Sequence, residues 1–365
     1  MLTGVEALLD RAQTEAAAWD RDGLPGEIVE FAATSGLFAA VAGAGALDAR
    51  ELGSLAGELG ARCTGLRSLL TVTGMVSAAV NRWGTAAQRD AWLPRLAAGA
   101  LVAGFAVTEQ DAGTDLTGVR TRFDRDGGEW RISGRKLWVT FGQIAGALLV
   151  LGRTEGGLAA ALVPTNARGV RVEPVTDPLG LRGSLLANID FDAVRVPDEN
   201  LIAPAGFGLS HVVATALDHG RYTVAWGCVG MARACLSDAA AHVARRQQNG
   251  TALADHQLVR ATLGRGWVEV ESAHALCLRA ADLRARRDSG SVLATIGAKY
   301  AAAGAAARVG HDAVQLLGAA GCAPDARAGR FFRDAKVMEI IEGPAAVAEL
   351  HLGDHVLAAT NRAAR

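Results

Sequence analysis

The chain has 365 residues and a formal net charge of −1 at pH 7, because 37 lysines and arginines nearly balance 38 acidic residues. This length suggests two or three domains, and a hydrophobic fraction of 50% is sufficient for a buried core. The balanced charge gives no reason to expect a nucleic acid or an anionic membrane as partner. Aromatic residues make up only 5% of the chain, and abundant alanine favours helices. The only lysines are Lys136, Lys299 and Lys336.

The cysteine and histidine patterns argue against metal and disulfide sites. The five cysteines are scattered without a C-x-x-C pair, and the eight histidines form no H-E-x-x-H motif. The N-terminus lacks the basic and apolar regions of a signal peptide, and no run of about 20 apolar residues occurs. The sequence therefore predicts a soluble cytoplasmic protein with no bound metal and no membrane segment.

The first hundred residues show the periodicity of amphipathic helices. Six apolar residues with i, i+3, i+4 spacing define one face of a first helix: Val5, Leu8, Leu9, Ala12, Ala16 and Trp19. Residues 22–26 end that helix, and Pro25 suits the start of the next one. The same spacing recurs at Leu52, Leu55, Ala56 and Leu59. Thr85 and Gln88 form a capping box for a further helix.

The pattern changes near residue 101 and again near residue 206. Between these points, short runs rich in valine, isoleucine, phenylalanine and tryptophan are separated by glycine, proline and aspartate, which predicts a compact β barrel or sandwich. Three long alanine-rich stretches follow, at 231–246, 256–287 and 292–317, which indicate an antiparallel helical bundle. We therefore predict a multidomain α+β chain with a helical domain at 1–103, a β domain at 104–205 and a helical bundle at 206–365.

Three polar motifs interrupt these elements. The segment 107–115, VTEQDAGTD, follows a predicted strand, and its hydroxyls and free N–H groups suit a phosphate or a ring edge. In 136–140, KLWVT, an indole beside a hydroxyl suits packing against a flat heterocycle. Glu342 stands between two isoleucines and a glycine, where burial would raise its pKa toward that of a general base. Taken singly, these motifs are better explained as a plain polar loop, a core tryptophan and an exposed glutamate.

Taken together, the motifs resemble the acyl-CoA dehydrogenase family in order and separation. The matching segments are TEQDAGTD at 108–115, GRKLWVT at 134–140, LGLRGS at 179–184, RVPDENLI at 195–202, DAVQLLGAAG at 312–321 and RDAK at 333–336. The resemblance extends from about residue 5 to 355, and it implies the helical, β and four-helix-bundle domains of that family.

The resemblance implies FAD bound between the β domain and the bundle. Residues matching the family's contacts to the flavin ring and pyrophosphate are Phe105, Val107, Thr108, Gly113 and Thr114. Trp138 and Thr140 would flank the isoalloxazine. Residues matching contacts to FAD from the bundle, in part across subunits, are Arg246, Gln257, Gln315 and Gly318. Such contacts imply a homodimer or homotetramer.

The resemblance also implies a reaction. Glu342 matches the family's catalytic base, which removes the α proton of an acyl thioester while a β hydride passes to flavin N5. Gly343 belongs to the same motif, and Arg221 matches an arginine near the substrate pocket. Hydrogen bonds to the thioester oxygen stabilise the developing enolate. The chain departs from the family at Pro344 and Ala346, where the usual threonine and glutamine are replaced and a flavin contact is lost.

Within this family, the sequence is similar to the acyl-carrier-protein dehydrogenases that build methoxymalonyl or hydroxymalonyl extender units for polyketides. That similarity predicts a small acyl thioester on acyl-carrier protein or CoA, and it leaves the electron acceptor open. Two alternatives remain at this stage. One is a flavin-dependent oxidase or monooxygenase on the same fold, and the other is a non-enzymatic relative that has lost FAD.

Overall fold

The N-terminal part of the chain is helical, as predicted. The computed structural model describes residues 3–363. Its first five helices are α1 (Thr3–Asp22), α2 (Gly26–Thr34), α3 (Ala49–Arg62), α4 (Thr64–Trp83) and α5 (Ala86–Ala97). All six residues of the predicted α1 face are buried. The Thr85–Gln88 capping box starts α5, and a second box, Asp48–Glu51, starts α3.

The middle of the chain forms one mixed eight-stranded sheet. Its strands are β1 (Ala103–Ala106), β2 (Arg122–Asp126), β3 (Glu129–Val139), β4 (Ala147–Thr154), β5 (Gly157–Pro164), β6 (Val170–Pro174), β7 (Ala187–Pro197) and β8 (Leu201–Ile202). The order across the sheet is β6-β7-β3-β2-β4-β5-β8, and β1 pairs with β4 in parallel. The β3–β7 register shifts between Lys136 and Val139, which forms a bulge within one of the predicted motifs.

The C-terminal part is helical again. Its helices are α6 (Ala214–Arg245), α7 (Gln257–Ala285), α8 (Ser291–Leu317), α9 (Arg327–Ile340) and α10 (Ala345–Ala363), and a short hairpin of β9 (Gln247–Gln248) and β10 (Thr251–Ala252) joins α6 to α7. The stretch predicted to be helical from residue 231 is only the second half of α6, which follows a π-helical turn at Gly208–Val213. The alanine-rich stretch left out the first half, which lies within the helical bundle predicted from residue 206. Valine, threonine and glycine lower helix propensity there, and burial against α3, α4 and α8 stabilises the helix.

One continuous hydrophobic core joins the two helical parts. It includes buried residues of α1 to α4 and of α6 to α9, so α4 packs directly against the bundle. A separate core fills one side of the sheet, with Phe123, Ile132, Leu148 and Val194 among its members. None of the helices between residues 3 and 363 has both the length and the apolar character needed to cross a membrane.

Candidate active site

The segment that follows α9 holds Glu342 in an unusual backbone conformation. Glu342 and Gly343 have φ angles of +56° and +99°, and the left-handed region is costly for a residue other than glycine. Two cations stabilise this turn through its carbonyl groups. Arg221 Nε of α6 donates to the Glu342 carbonyl at 2.7 Å, and Lys299 Nζ of α8 donates to the Gly343 carbonyl at 2.8 Å. The turn is therefore fixed from two helices.

The carboxylate of Glu342 is enclosed without a hydrogen-bond partner. The residue is half-buried, but its Oε2 is fully buried and unpaired within residues 3–363. Burial raises the pKa of Glu342 to about 7, although the positive charges of Arg221, Lys299 and Arg67 act to lower it. A carboxyl group with this pKa exchanges a proton readily near neutral pH, as a general base requires.

The backbone beside the carboxylate offers free donors. The N–H groups of Glu342 and Gly343 donate no hydrogen bond within the described part of the chain, because α9 ends at Ile340 and its last helical bond comes from Ile341. Free N–H groups next to a base are suited to a developing oxyanion. A small cavity of about 10 Å³ lies against Glu342, Gly343, Arg221 and Lys299.

A buried ion pair organises the β side of the predicted site. Lys136 Nζ of β3 donates to Glu109 Oε1 at 2.7 Å and to the Val107 carbonyl at 2.9 Å, and the lysine is 0% exposed. The Glu109 carboxylate also accepts bonds from Arg120 N, Thr121 N and the Thr121 hydroxyl. These hydrogen bonds lower the pKa of Glu109, whereas burial lowers the pKa of Lys136 to about 8, so both groups are charged at neutral pH. The pair connects the loop after β1 to β3.

The bulge in β3 joins two of the predicted motifs. Leu137 N donates to the Thr108 carbonyl at 2.9 Å, so the strand leaves its register with β7 and pairs with the motif at 107–115. Trp138, the next residue, has a φ of +59° and a side chain that is 56% exposed. The alternative interpretation of Trp138 as a core residue is therefore wrong. Val139, on the other face, is completely buried.

The residues on the β side fit a flavin. An exposed indole on a fixed bulge is suited to packing against a flat ring. The N–H groups of Gly113 and Thr114 and the hydroxyls of Thr108, Thr114 and Thr140 make no hydrogen bond within residues 3–363, so they are available to phosphate and ring atoms. Phe105 and Thr140 are half-buried and Val107 is buried, whereas Gly113 and Thr114 are exposed. No hydrogen bond in this part of the chain joins Trp138 to Glu342.

The remaining predicted FAD residues form a second, exposed group on the bundle. Arg246 directly follows α6 and Gln257 begins α7, and the β9–β10 hairpin lies between them in the chain. Gln315 and Gly318 lie at the end of α8, where Gly318 has a φ of +60°. All four are exposed. No hydrogen bond within the described chain connects this group to Thr108 or Trp138.

Another cavity lies outside the predicted site. It has a volume of about 770 Å³ and lies between α7, α8, α9 and Leu179. None of the predicted catalytic or FAD-binding residues lines it.

Several residues that shape the site were missed by the motif analysis. Glu109 and Lys136 lie inside quoted motifs, but neither was assigned a role, and Lys299 lies outside every quoted motif. Lysine is rare in this chain, which has three lysines and 34 arginines, and two of the three lysines are buried beside the site. This rarity is the sequence feature that could have identified them. Asp334, in the RDAK motif, accepts a bond from Leu181 N at 2.7 Å and so joins two further motifs.

The chain is similar to known proteins over almost all its length. The N-terminal, middle and C-terminal domain profiles of acyl-CoA dehydrogenase match residues 3–100, 104–194 and 207–357. The short-chain specific acyl-CoA dehydrogenase of pig mitochondria is 32% identical over 283 residues, which are 76% of this chain and 68% of that protein.

Solved structures show the same similarity. FkbI, for biosynthesis of the methoxymalonyl extender unit of the FK520 polyketide immunosuppressant, is 38% identical with a TM-score of 0.90, covering 97% of this chain and 99% of FkbI. A glutaryl-CoA dehydrogenase of Mycobacterium smegmatis in complex with FADH2 is 26% identical with a TM-score of 0.91, covering 97% and 93% of the two chains. The chain therefore belongs to the acyl-CoA dehydrogenase family, whose oxidoreductases use FAD.

Proposed function

We propose that this enzyme removes hydrogen from the α and β carbons of a small acyl thioester, with Glu342 as the base. The observation that carries the proposal is the buried, unpaired Oε2 of Glu342 on a turn that Arg221 and Lys299 fix. The carboxylate accepts the α proton, and the bond to that proton supplies the electron pair of the new double bond. When bound, FAD supplies the acceptor for the hydride that leaves the β carbon.

The chain's own residues would support this step in three ways. The free N–H of Glu342 would donate to the thioester oxygen and so stabilise the enolate as the proton leaves. Arg221 and Lys299 hold the backbone so that the carboxylate does not have to reorganise. Trp138 would pack against the flavin, while Thr108, Gly113, Thr114 and Thr140 would bind its polar edge and phosphates.

The substrate class follows from the same proposal. The 38% identity with FkbI over 97% of this chain exceeds the 26–28% identity with the glutaryl-CoA dehydrogenase structures. We therefore assign the enzyme to methoxymalonyl-type extender-unit biosynthesis, with an acyl group on acyl-carrier protein. If the β carbon carries a hydroxyl group, the product is an enol, which tautomerises to a β-carbonyl compound. An oxidised three-carbon unit is formed in this way.

The proposal includes a homo-oligomer. The bundle exposes four residues matched to FAD contacts, and the exposed fractions of Leu258 and Trp267 on α7 are 84% and 60%. Large exposed apolar side chains near such residues are typical of a protein interface. Light scattering after gel filtration tests this part, for which a mass of one subunit would be the contradicting result.

Anaerobic titration of the FAD-loaded protein tests the proposed activity. Purified protein is expected to be yellow, and a matching small acyl thioester is expected to bleach it. Propionyl, 3-hydroxypropionyl and butyryl groups, each on CoA and on acyl-carrier protein, separate the carrier from the acyl group. A protein that fails to bind FAD, or that no thioester bleaches, would contradict the proposal. Oxygenated product formed in air would instead indicate a monooxygenase.

A further inference from the structure

Residues 179–186 form a connecting segment between α9, which leads to the proposed base, and the chain that follows β3. The segment directly precedes β7, and two of its residues, Leu181 and Leu185, have φ angles of +56° and +45°. The left-handed region is costly for a leucine, and such residues persist only where their surroundings hold them in place. The contacts of the connecting segment therefore stabilise a conformation that the segment would not adopt alone.

On the side of the base, Asp334 of α9 holds the connecting segment. Leu181 N donates to Asp334 Oδ1 at 2.7 Å, and only 2% of the aspartate is exposed. This approach requires glycine at position 180, because a Cβ there would lie 2.8 Å from the Arg333 carbonyl oxygen and 2.9 Å from Asp334 Oδ1. A buried carboxyl group is costly unless it is hydrogen-bonded, so the contact fixes both partners.

On the side of the predicted flavin residues, the same segment holds the end of β3. Phe141 N donates to the Ser184 carbonyl at 2.8 Å, and Ser184 N donates to the Leu181 carbonyl at 2.9 Å. Phe141 is fully buried, has a φ of +55° and directly follows Thr140, which is matched to a flavin contact. Successive hydrogen bonds therefore connect the neighbour of Thr140 to Leu181 and, through it, to Asp334.

The connecting segment is also enclosed by the N-terminal helices. A Cβ at Gly183 would lie 3.0 Å from the Trp19 carbonyl oxygen of α1, and a Cβ at Gly65 of α4 would lie 3.4 Å from the Gly183 backbone. A segment that is held on several sides cannot follow α9. Loss of the Asp334 bond would therefore change the separation of α9 from the segment rather than move the two together.

The attachment of α9 at Asp334 affects the position of the base. Glu342 follows Asp334 by about two helical turns, or about 12 Å, and a helix is a rigid element over this distance. Arg221 and Lys299 hold the turn of Glu342 against the bundle, whereas the Asp334 bond connects α9 to the segment that holds β3. An acyl group that loses a proton to the base and a hydride to the flavin must reach both, and a displacement of about 1 Å can slow such a reaction by about a hundredfold.

We propose that Asp334 is a positioning residue that sets the separation of the base from the flavin by holding α9 against the connecting segment. This inference rests on the proposed function and assigns a role in it to a residue that touches neither the substrate nor the cofactor. Removal of the α proton needs the carboxylate of Glu342 beside the thioester. Loss of the β hydride also needs the correct distance to the flavin. Removal of Asp334 should therefore slow the hydride step much more than the proton step.

Two rates measured on FAD-loaded Asp334→Ala protein test the inference. Exchange of the α hydrogens of an acetyl thioester with deuterium from heavy water, measured by mass spectrometry, reports the proton step alone, because an acetyl group has no β carbon. Anaerobic bleaching by a thioester that bleaches the parent protein reports both steps. Asp334→Ala should slow bleaching by about tenfold to a hundredfold and leave the α-hydrogen exchange close to its parent rate. Equal losses in both rates, or undiminished bleaching, would overturn the positioning role.

Three further variants separate positioning from folding. Asp334→Asn keeps an acceptor oxygen for Leu181 N and should restore bleaching to near the parent rate. Gly180→Ala pushes the connecting segment away from α9 and should reproduce the effect of Asp334→Ala, which provides a test if Asp334→Ala does not fold. Arg327→Gln is the matched control on α9, because it breaks the bond of Arg327 Nε to Asp238 of α6, at 2.8 Å, and leaves the segment untouched. It should lower the unfolding temperature without separating the two rates.

Amide hydrogen–deuterium exchange of residues 138–143 provides a readout that does not depend on turnover. Exchange in this stretch should become faster in the Asp334→Ala protein, because the bonds that lead to Phe141 lose their attachment, and it should stay unchanged in Arg327→Gln. Unchanged exchange in Asp334→Ala would contradict the inference and leave the proposed function intact. A parent protein that no thioester bleaches would instead count against the proposed function.

Discussion

Gly220 of α6 lies against the carboxylate of Glu342, so closely that a Cβ at residue 220 would come within 2.7 Å of Glu342 Cδ and Oε2. The position of the carboxylate therefore depends on the absence of a side chain on the facing helix. It depends equally on Arg221, the next residue, which holds the Glu342 carbonyl. Two successive residues of α6 thus fix the backbone and the side chain of the proposed base.

Gly220→Ala is expected to displace the carboxylate and lower kcat by about a hundredfold, because a displacement of about 1 Å is sufficient for such a loss. FAD binding should be retained, since Gly220 is not among the residues assigned to the cofactor. Gly264→Ala in α7 is the matched control, because no atom lies within 4 Å of the added methyl group. Full activity of the Gly220→Ala protein in a steady-state assay would show that the carboxylate position is not critical.

The pH dependence of kcat/KM should show an ionisation near 7, with activity increasing as pH rises. Burial raises the pKa of Glu342 to about 7, and the base acts only when it is deprotonated. Lys299→Met should move this ionisation to higher pH, because the lysine charge lowers the pKa of Glu342. Lys336→Met is the control, since Lys336 is exposed and bonds Glu339. An ionisation that stays in place in the Lys299→Met protein would contradict the assignment.

The carboxylate of Glu342 should make the folded protein less stable as pH rises, although activity increases over the same range. The folded pKa of Glu342 is above its ordinary value of 4.5, so the folded protein binds more protons than the unfolded chain between about pH 4.5 and 7. The free energy of unfolding contributed by this group therefore falls as pH rises through that range. Glu342→Gln should remove this pH-dependent loss of unfolding free energy, which is no more than about 3 kcal/mol at pH 8. Urea unfolding at pH 5 and pH 8 measures the difference, and an unchanged pH dependence in the variant would argue against a raised pKa.

Lys136→Met should destabilise the β domain by about 3 kcal/mol, because it leaves the carboxylate of Glu109 without its cation. It should also weaken FAD binding, since Lys136 holds the Val107 carbonyl beside Thr108. Thermal unfolding and flavin release measure the two effects. Arg50→Ala breaks the exposed ion pair with Asp282 and should change the unfolding temperature little. Equal unfolding temperatures and equal flavin release for Lys136→Met and Arg50→Ala would contradict the organising role of the buried Lys136–Glu109 pair.

Arg246→Ala tests the exposed bundle residues that are proposed to bind FAD. Loss of an arginine contact to a phosphate should weaken FAD retention by about tenfold or more. Arg245→Ala changes the preceding residue, which is also exposed, and should retain FAD as the unaltered protein does. The FAD retention of both variants is measured from the fluorescence of the flavin that is released upon dilution. Undiminished retention in the Arg246→Ala protein would remove this residue from the cofactor site.

Local patterns predicted the elements of the fold well where periodicity and caps are strong. The buried face of α1 and the capping box of α5 follow directly from residue spacing. The first half of α6 does not, because its stability comes from packing against distant helices rather than from its own residues. The order of strands in the sheet was also not predictable, since β1 and β4 pair across more than 40 residues.

The site was predictable only as a set of motifs. The family motifs located Glu342, Trp138 and Arg221, but they gave no indication that Oε2 is unpaired or that Trp138 lies on a bulge. Arg67, whose charge acts to lower the pKa of Glu342, belongs to no quoted motif. Its buried position depends on Gly227, which lies 160 residues away in sequence. Long-range contacts of this kind are properties of the folded chain.

Anaerobic addition of a bleaching thioester to the Glu342→Gln protein tests the central claim most directly. The variant should bind FAD and remain yellow with the thioester that bleaches the unaltered protein, because the amide cannot accept the α proton. The rate of bleaching should fall by about a hundredfold to ten-thousandfold, the usual contribution of a general base. Bleaching of the Glu342→Gln protein at the rate of the unaltered protein would show that Glu342 is not the base.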